Sequence, residues 1–130
     1  MNERIDEKHP FYNPDICPVR DVMDHLGGKW PILIVTGLEA RTLRFSELKR
    51  NIPDVSQRML TKTLRELERD GLVDRKVTPS VPPRVDYSLT KRGRSLLETL
   101  RPIAEWALDN RLDIARSRAL FDEAAANRSA

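Results

Sequence analysis

Four cations recur at helical spacing in the middle of the chain: Arg58, Lys62, Arg65 and Arg69. At roughly 100° per residue they share an arc of about 60°, while Leu64 and Leu67 fall within about 40° of Leu60 on the opposite side. Such a face does not make or break bonds, but it can hold a polyanion. Helix stability alone disfavours it, because Arg58–Lys62 and Arg65–Arg69 are like-charge pairs four residues apart. Phosphates lining a groove would turn that repulsion into attraction. A solvated face, partly neutralised by Glu66 and Glu68, is the competing reading.

Cys17 is the one cysteine, so a disulfide within the chain is excluded. Placed just before a helix, its thiolate would be stabilised by backbone N–H groups; a partly buried, unreactive thiol is the alternative. Oxidation would then give a Cys17–Cys17 bond between two chains, a mixed disulfide with a small thiol, or an adduct. Cys17 and His25 are too few for a metal site, and His9 lies in a tail. Gly27-Gly28-Lys29 lacks the spacing of a phosphate loop. No nucleophile is paired with a base. The expectation is therefore no enzyme, no metal and no cofactor.

The elements that position these groups follow from periodicity and punctuation. Residues 1–16 read as a flexible charged tail containing Pro10 and Pro14. A helix is expected after Cys17, with Pro18 in its first turn, Val19, Val22, Met23 and Leu26 at helical spacing, and Gly27-Gly28 as its stop. A second helix spans about 30–39, its Pro31 tolerated in the first turn and Trp30, Leu33, Ile34 and Leu38 facing the core. Residues 41–44 lead into a short helix at about 46–51, with Phe45 and Leu48 inward, and Pro53-Asp54 breaks the chain. The cationic helix covers 56–70. Ser56 is its N-cap, with Asp54 a rival, and Gly71 follows its end. Residues 72–78 and 84–89 read as strands joined by Pro79-Ser80-Val81-Pro82-Pro83, with Val85, Tyr87 and Leu89 on one face. Thr90 caps a long final helix with a kink at Pro102 and a frayed end at 127–130.

This order predicts a mainly α fold with a small β-hairpin wing, a winged helix-turn-helix in residues 17–115, followed by a helix end and tail at 116–130. The final helix carries a broad apolar arc: Leu96, Leu97, Leu100, Ile103, Ala104, Trp106, Leu108 and Leu112. One core cannot cover so wide an arc, so a homodimer is expected, with Val19 and Val22 joining its interface. In such a fold the start of the second motif helix meets base edges. Ser56, Gln57, Arg58, Thr61 and Lys62 are the candidates, since Arg can fork onto guanine and Gln onto adenine. Arg65 and Arg69 would reach phosphate or solvent. Arg75, Lys76 and Arg84 flank a proline-stiffened tip that can follow the backbone or enter a minor groove, unless the hairpin is an ordinary surface one.

Charge supports this partner. The chain has 130 residues, enough for one domain, with 39% hydrophobic and 33% charged residues, a soluble globular balance. Its net charge is only +3, yet residues 41–94 hold 14 Lys and Arg against 7 Asp and Glu, net +7. A clustered positive field suggests a polyanionic partner, such as a double-stranded DNA operator, or else a merely solvated basic surface. The competing function is a winged-helix module that binds protein instead, which would have little use for four aligned cations. No apolar run is long enough to span a membrane and the start has no leader pattern, so a cytoplasmic protein is expected.

Many blocks then occur in a recognisable order: Cys17-Pro18-Val19, Gly27-Gly28-Lys29-Trp30, Arg44-Phe45-Ser46-Glu47-Leu48, Ile52-Pro53, Ser56-Gln57-Arg58-Met59-Leu60, Leu64-Arg65-Glu66-Leu67-Glu68, Gly71-Leu72-Val73, Val81-Pro82-Pro83-Arg84-Val85, Tyr87-Ser88-Leu89-Thr90 and Gly93. Over residues 17–111 the chain resembles the HxlR family of bacterial transcription regulators, related in fold to the MarR group. The resemblance implies a winged-helix dimer that binds DNA and often controls a neighbouring gene. Some members sense oxidants or electrophiles such as quinones and aldehydes through a cysteine just before the first helix, and Cys17 matches that position.

Overall fold

The computed structural model describes residues 18–129. Cys17 and the expected tail at 1–16 lie outside the described residues. Along the chain come α1 (Pro18–Leu26), α2 (Lys29–Gly37), β1 (Leu43–Arg44), α3 (Phe45–Asn51), α4 (Gln57–Arg69), β2 (Val73–Thr78), β3 (Arg84–Leu89) and α5 (Lys91–Ser129). They fall into two compact units, one ending at Arg94 and the other beginning at Ser95.

In the first unit α2 packs on α1, α3 and α4, and α4 also packs on β2. Ile34, Val35, Leu38, Leu48, Val55, Leu60, Leu64 and Leu67 form the buried centre. The helix-turn-helix proper is α3, a turn and α4. Its turn is anchored from below by Ile52 and Val55, both buried, and tied by Val55 N–H to the Ile52 carbonyl at 3.2 Å. Lys49 Nζ donates to the Pro53 carbonyl at 3.2 Å.

Helix α4 has well-defined ends. Ser56 is the N-cap: its Oγ accepts the Met59 N–H at 3.0 Å. The rival Asp54 instead faces Lys29 at 3.7 Å. At the other end Leu72 N–H bonds the Leu67 carbonyl at 2.9 Å and Gly71 N–H the Glu68 carbonyl at 3.0 Å, the paired bonds of a Schellman stop. That stop needs a left-handed residue, and Gly71 supplies it at φ 73°.

The wing is an antiparallel hairpin in which Val73 pairs with Leu89 and Thr78 with Arg84. Strand β1 adds to the β3 edge, Leu43 opposite Tyr87, giving the order β1-β3-β2. Thr90 closes the wing. Its hydroxyl donates to the Gly71 carbonyl and accepts the Gly93 N–H at 3.0 Å, so it caps α5 and ties the hairpin exit to the end of α4.

Two expectations shift. Leu33 is 42% exposed, and Val35 takes its place in the core. The run 30–35 is apolar at every position, so its periodicity cannot choose a face. Helix α5 runs 39 residues, on through the residues where fraying is expected, with Pro102 inside it. Ser129 Oγ donates to the Ala125 carbonyl at 3.0 Å in that last turn.

Candidate nucleic-acid interface

Helix α4 buries Leu60, Leu64 and Leu67 completely and turns Arg58, Lys62, Arg65 and Arg69 outward, all exposed. Ser56, Gln57 and Thr61 are exposed at its start. Thr61 Oγ1 donates to the Gln57 carbonyl at 2.9 Å, which leaves its oxygen as an acceptor. Thr63, on the buried side, spends its hydroxyl on the Met59 carbonyl at 2.7 Å. Among the described residues Arg58 and Arg65 join no salt bridge. Lys62 faces Glu66 at 3.7 Å, with side chains 67% and 42% exposed, a pair too solvated to hold the lysine in place. The cationic row is therefore available to a partner.

The wing cations are not brought together. Residues paired across a ladder share a face. Arg75 lies opposite Tyr87 and Lys76 opposite Asp86, so Arg75 and Lys76 point to opposite sides. Arg75 is nonetheless exposed, as are Lys76 and Arg84. Arg84 donates through Nε to both Asp86 oxygens, at 3.2 and 3.1 Å. Lys76 and Arg84 also line one depression with Glu47, Asp74 and Asp86. These two cations sit in a mixed field, unlike the α4 row.

A second positive feature was not found by reading the sequence. Arg41, Arg44, Arg50 and Arg84 surround a cleft of about 330 Å³ with Ser46 and Glu47. Arg50 also lines an adjoining surface with Lys49 and Gln57. The signal was present in the net charge of residues 41–94, but its members come from the link before β1, from β1, α3 and β3, and have no common periodicity.

Among the described residues two groups are electrostatically shifted. Glu47 Oε1 accepts the Arg44 N–H at 2.9 Å; this bond, then the charges of Arg41, Arg44 and Arg50, hold its carboxyl below the usual value. His25 is raised, first by its bond to the Asp21 carbonyl and then by Asp70. Lys29, the lysine of the rejected phosphate-loop fragment, lies 4.4 Å from the Trp30 ring centre. Among the described residues no set of His, Cys, Asp and Glu could hold a metal, and no helix is long and apolar enough to cross a membrane.

Residues 25–113 match the family described as HxlR-like helix-turn-helix. An HTH-type transcriptional regulator of Methanothermobacter thermautotrophicus is 50% identical over 91 residues, 70% of either chain. Among solved structures, the transcriptional regulator ytfH of Salmonella typhimurium is similar with a TM-score of 0.74 at 36% identity, over 83% of this chain and 96% of that one. The redox regulator HypR in its reduced form is similar with a TM-score of 0.71 at 44% identity, over 77% and 98%.

Proposed function

The chain belongs to the HxlR-like helix-turn-helix family, and from that premise we propose how it reads DNA. Membership makes it a DNA-binding winged helix-turn-helix regulator of transcription rather than an enzyme. In our reading α4 enters the major groove of a double-stranded operator. Ser56, Gln57, Arg58, Thr61 and Lys62 meet base edges, and Arg65 meets phosphate. The wing, with Arg75, Lys76 and Arg84, follows the backbone or the minor groove; Arg84 contributes less for being held by Asp86. Residues 17–115 carry DNA binding and dimerisation, and the cytoplasm is the site of action.

The observation that carries this reading is the row of exposed cations on α4 opposite a fully buried leucine stripe. The test is anisotropy against the DNA upstream of its own gene and an unrelated duplex across a salt series. A dimer neutralising on the order of 6–10 phosphates gives a log–log slope of about −5 to −9. Arg58→Ala should relax base preference. A wild type that binds neither duplex would turn the reading toward a protein-binding module.

Cys17 is the thiol sensor in this proposal. Its support is the family resemblance, its place directly before α1, and similarity to a protein described as a redox regulator. Diamide would accept two electrons and two protons from two thiols and leave a disulfide, between two Cys17 or between Cys17 and a small thiol. Operator affinity should change with diamide, return with reductant, and stay constant in Cys17→Ser. A Cys17→Ser protein that still responds would make Cys17 a structural residue.

A further inference from the structure

The arginine cleft beside β1 shares Arg84 with the wing, but its other arginines, Arg41, Arg44 and Arg50, lie outside the reading surface just proposed. Four arginines line it, with Glu47 the one acidic residue among its lining residues. That carboxylate is already engaged, by the Arg44 N–H at 2.9 Å and by Arg41 Nη2 at 3.8 Å. Arg84 is steadied through Nε by Asp86. Arg44 and Arg50 are exposed and enter no salt bridge among the described residues. The Glu47 carboxyl is held below its ordinary value first by the Arg44 N–H bond and then by the neighbouring guanidinium charges. Planar guanidinium forks around a concave site suit a tetrahedral oxyanion better than any neutral ligand.

Position decides which oxyanion. Arg50 lines both this cleft and the adjoining surface that holds Gln57, the first residue of α4. The cleft is thus contiguous with the end of α4 that approaches base edges. We propose that Arg44 and Arg50, backed by Arg41 and Arg84, seat a phosphate of the DNA backbone beside the base pairs that α4 reads. This rests on the DNA-binding reading above. The contact fixes the register of the motif on the duplex and carries no base information itself.

The test uses two duplexes of unrelated arbitrary sequence, each about 20–30 bp to span two half-sites. Wild type, Arg50→Ala, Arg44→Ala with Arg50→Ala, and Arg50→Lys are titrated across a salt series, with circular dichroism confirming the fold of each. Because both arginines seat one phosphate, the double variant should make the salt slope shallower by about 1 per bound protomer, and Arg50→Ala by no more than that. Affinity should fall alike on both duplexes, and Arg50→Lys should keep the wild-type slope. A folded double variant with the wild-type slope overturns the proposal. Inorganic phosphate provides the second arm, with chloride at matched ionic strength as control. Saturable, phosphate-specific binding that the double variant abolishes while the DNA slope stays unchanged would assign the cleft to a free anion instead. If wild type bound no duplex, the DNA-binding reading would fall and this proposal with it.

Discussion

At Glu47 one carboxylate accepts a backbone N–H and faces three arginines. A pKa held below its unfolded value stabilises the fold above that value and ceases to do so as pH falls through the folded one. Glu47 should therefore titrate below an ordinary glutamate by NMR, and Arg41→Ala should move it upward, because one attracting charge is gone while the Arg44 N–H remains. An unmoved titration would show that the hydrogen bond alone sets the value. His25 has the opposite sign: raised by the Asp21 carbonyl and Asp70, it favours the fold below its unfolded pKa and loses that contribution as pH rises through its folded one. A second residue-scale consequence belongs to Gly93. A Cβ there would run into the Leu72 carbonyl and the Leu89 side chain. Backbone cannot step aside as a flexible side chain can, so Gly93→Ala should cost about 1–3 kcal/mol in thermal or denaturant unfolding.

Elements differ in how far their sequence announces them. Helix α4 was legible from end to end, because its leucine and cation rows oppose each other and Ser56 and Gly71 punctuate it. The hairpin was legible from alternation and from its prolines. Helix α2 was legible as a helix but not in its buried face, since 30–35 is apolar throughout and packing alone turns Leu33 outward. Strand β1 is two residues long and exists only by pairing with β3, far along the chain. The arginine cleft is hidden for the same reason: its parts meet only after that pairing. The joint between elements is equally non-local. Thr90 bonds the Gly71 carbonyl and caps the turn reaching Gly93. Thr90→Val keeps the shape and removes the hydroxyl, leaving both partners unmet. It should destabilise by about 1–2 kcal/mol, while Thr90→Ser should stay near wild type. Equal losses in the two variants would mean that the methyl group matters as much as the hydroxyl at this joint.

For the whole molecule the open matter is what covers the final helix. Beyond Ser95, Trp106 is 60% exposed, Leu108 67% and Leu112 74%, with Ile103, Leu120 and Phe121 also exposed. Burying a large apolar side chain gains about 1.5–3 kcal/mol. Six such groups left in water, spread over two faces of the helix, are an apolar exposure that soluble monomers seldom present. Each stands on a regular helix, so a second copy can meet them with the same residues by two-fold symmetry. The prediction is a sedimenting species of twice the 15.0 kDa chain mass at micromolar concentration. Leu108→Glu with Leu112→Glu changes only exposed positions, so the fold should persist while the dimer is lost. Two-fold symmetry would place the paired α4 helices one helical turn of DNA apart, about 34–36 Å, or a multiple of it. The operator should then be a pseudo-palindrome, and the double variant should bind a single half-site while losing the gain from joining two. A wild type that sediments as a monomer would remove the symmetric operator along with the dimer. A charged double variant that remains dimeric would move the interface to the other exposed face of the helix, that of Ile103, Trp106 and Phe121.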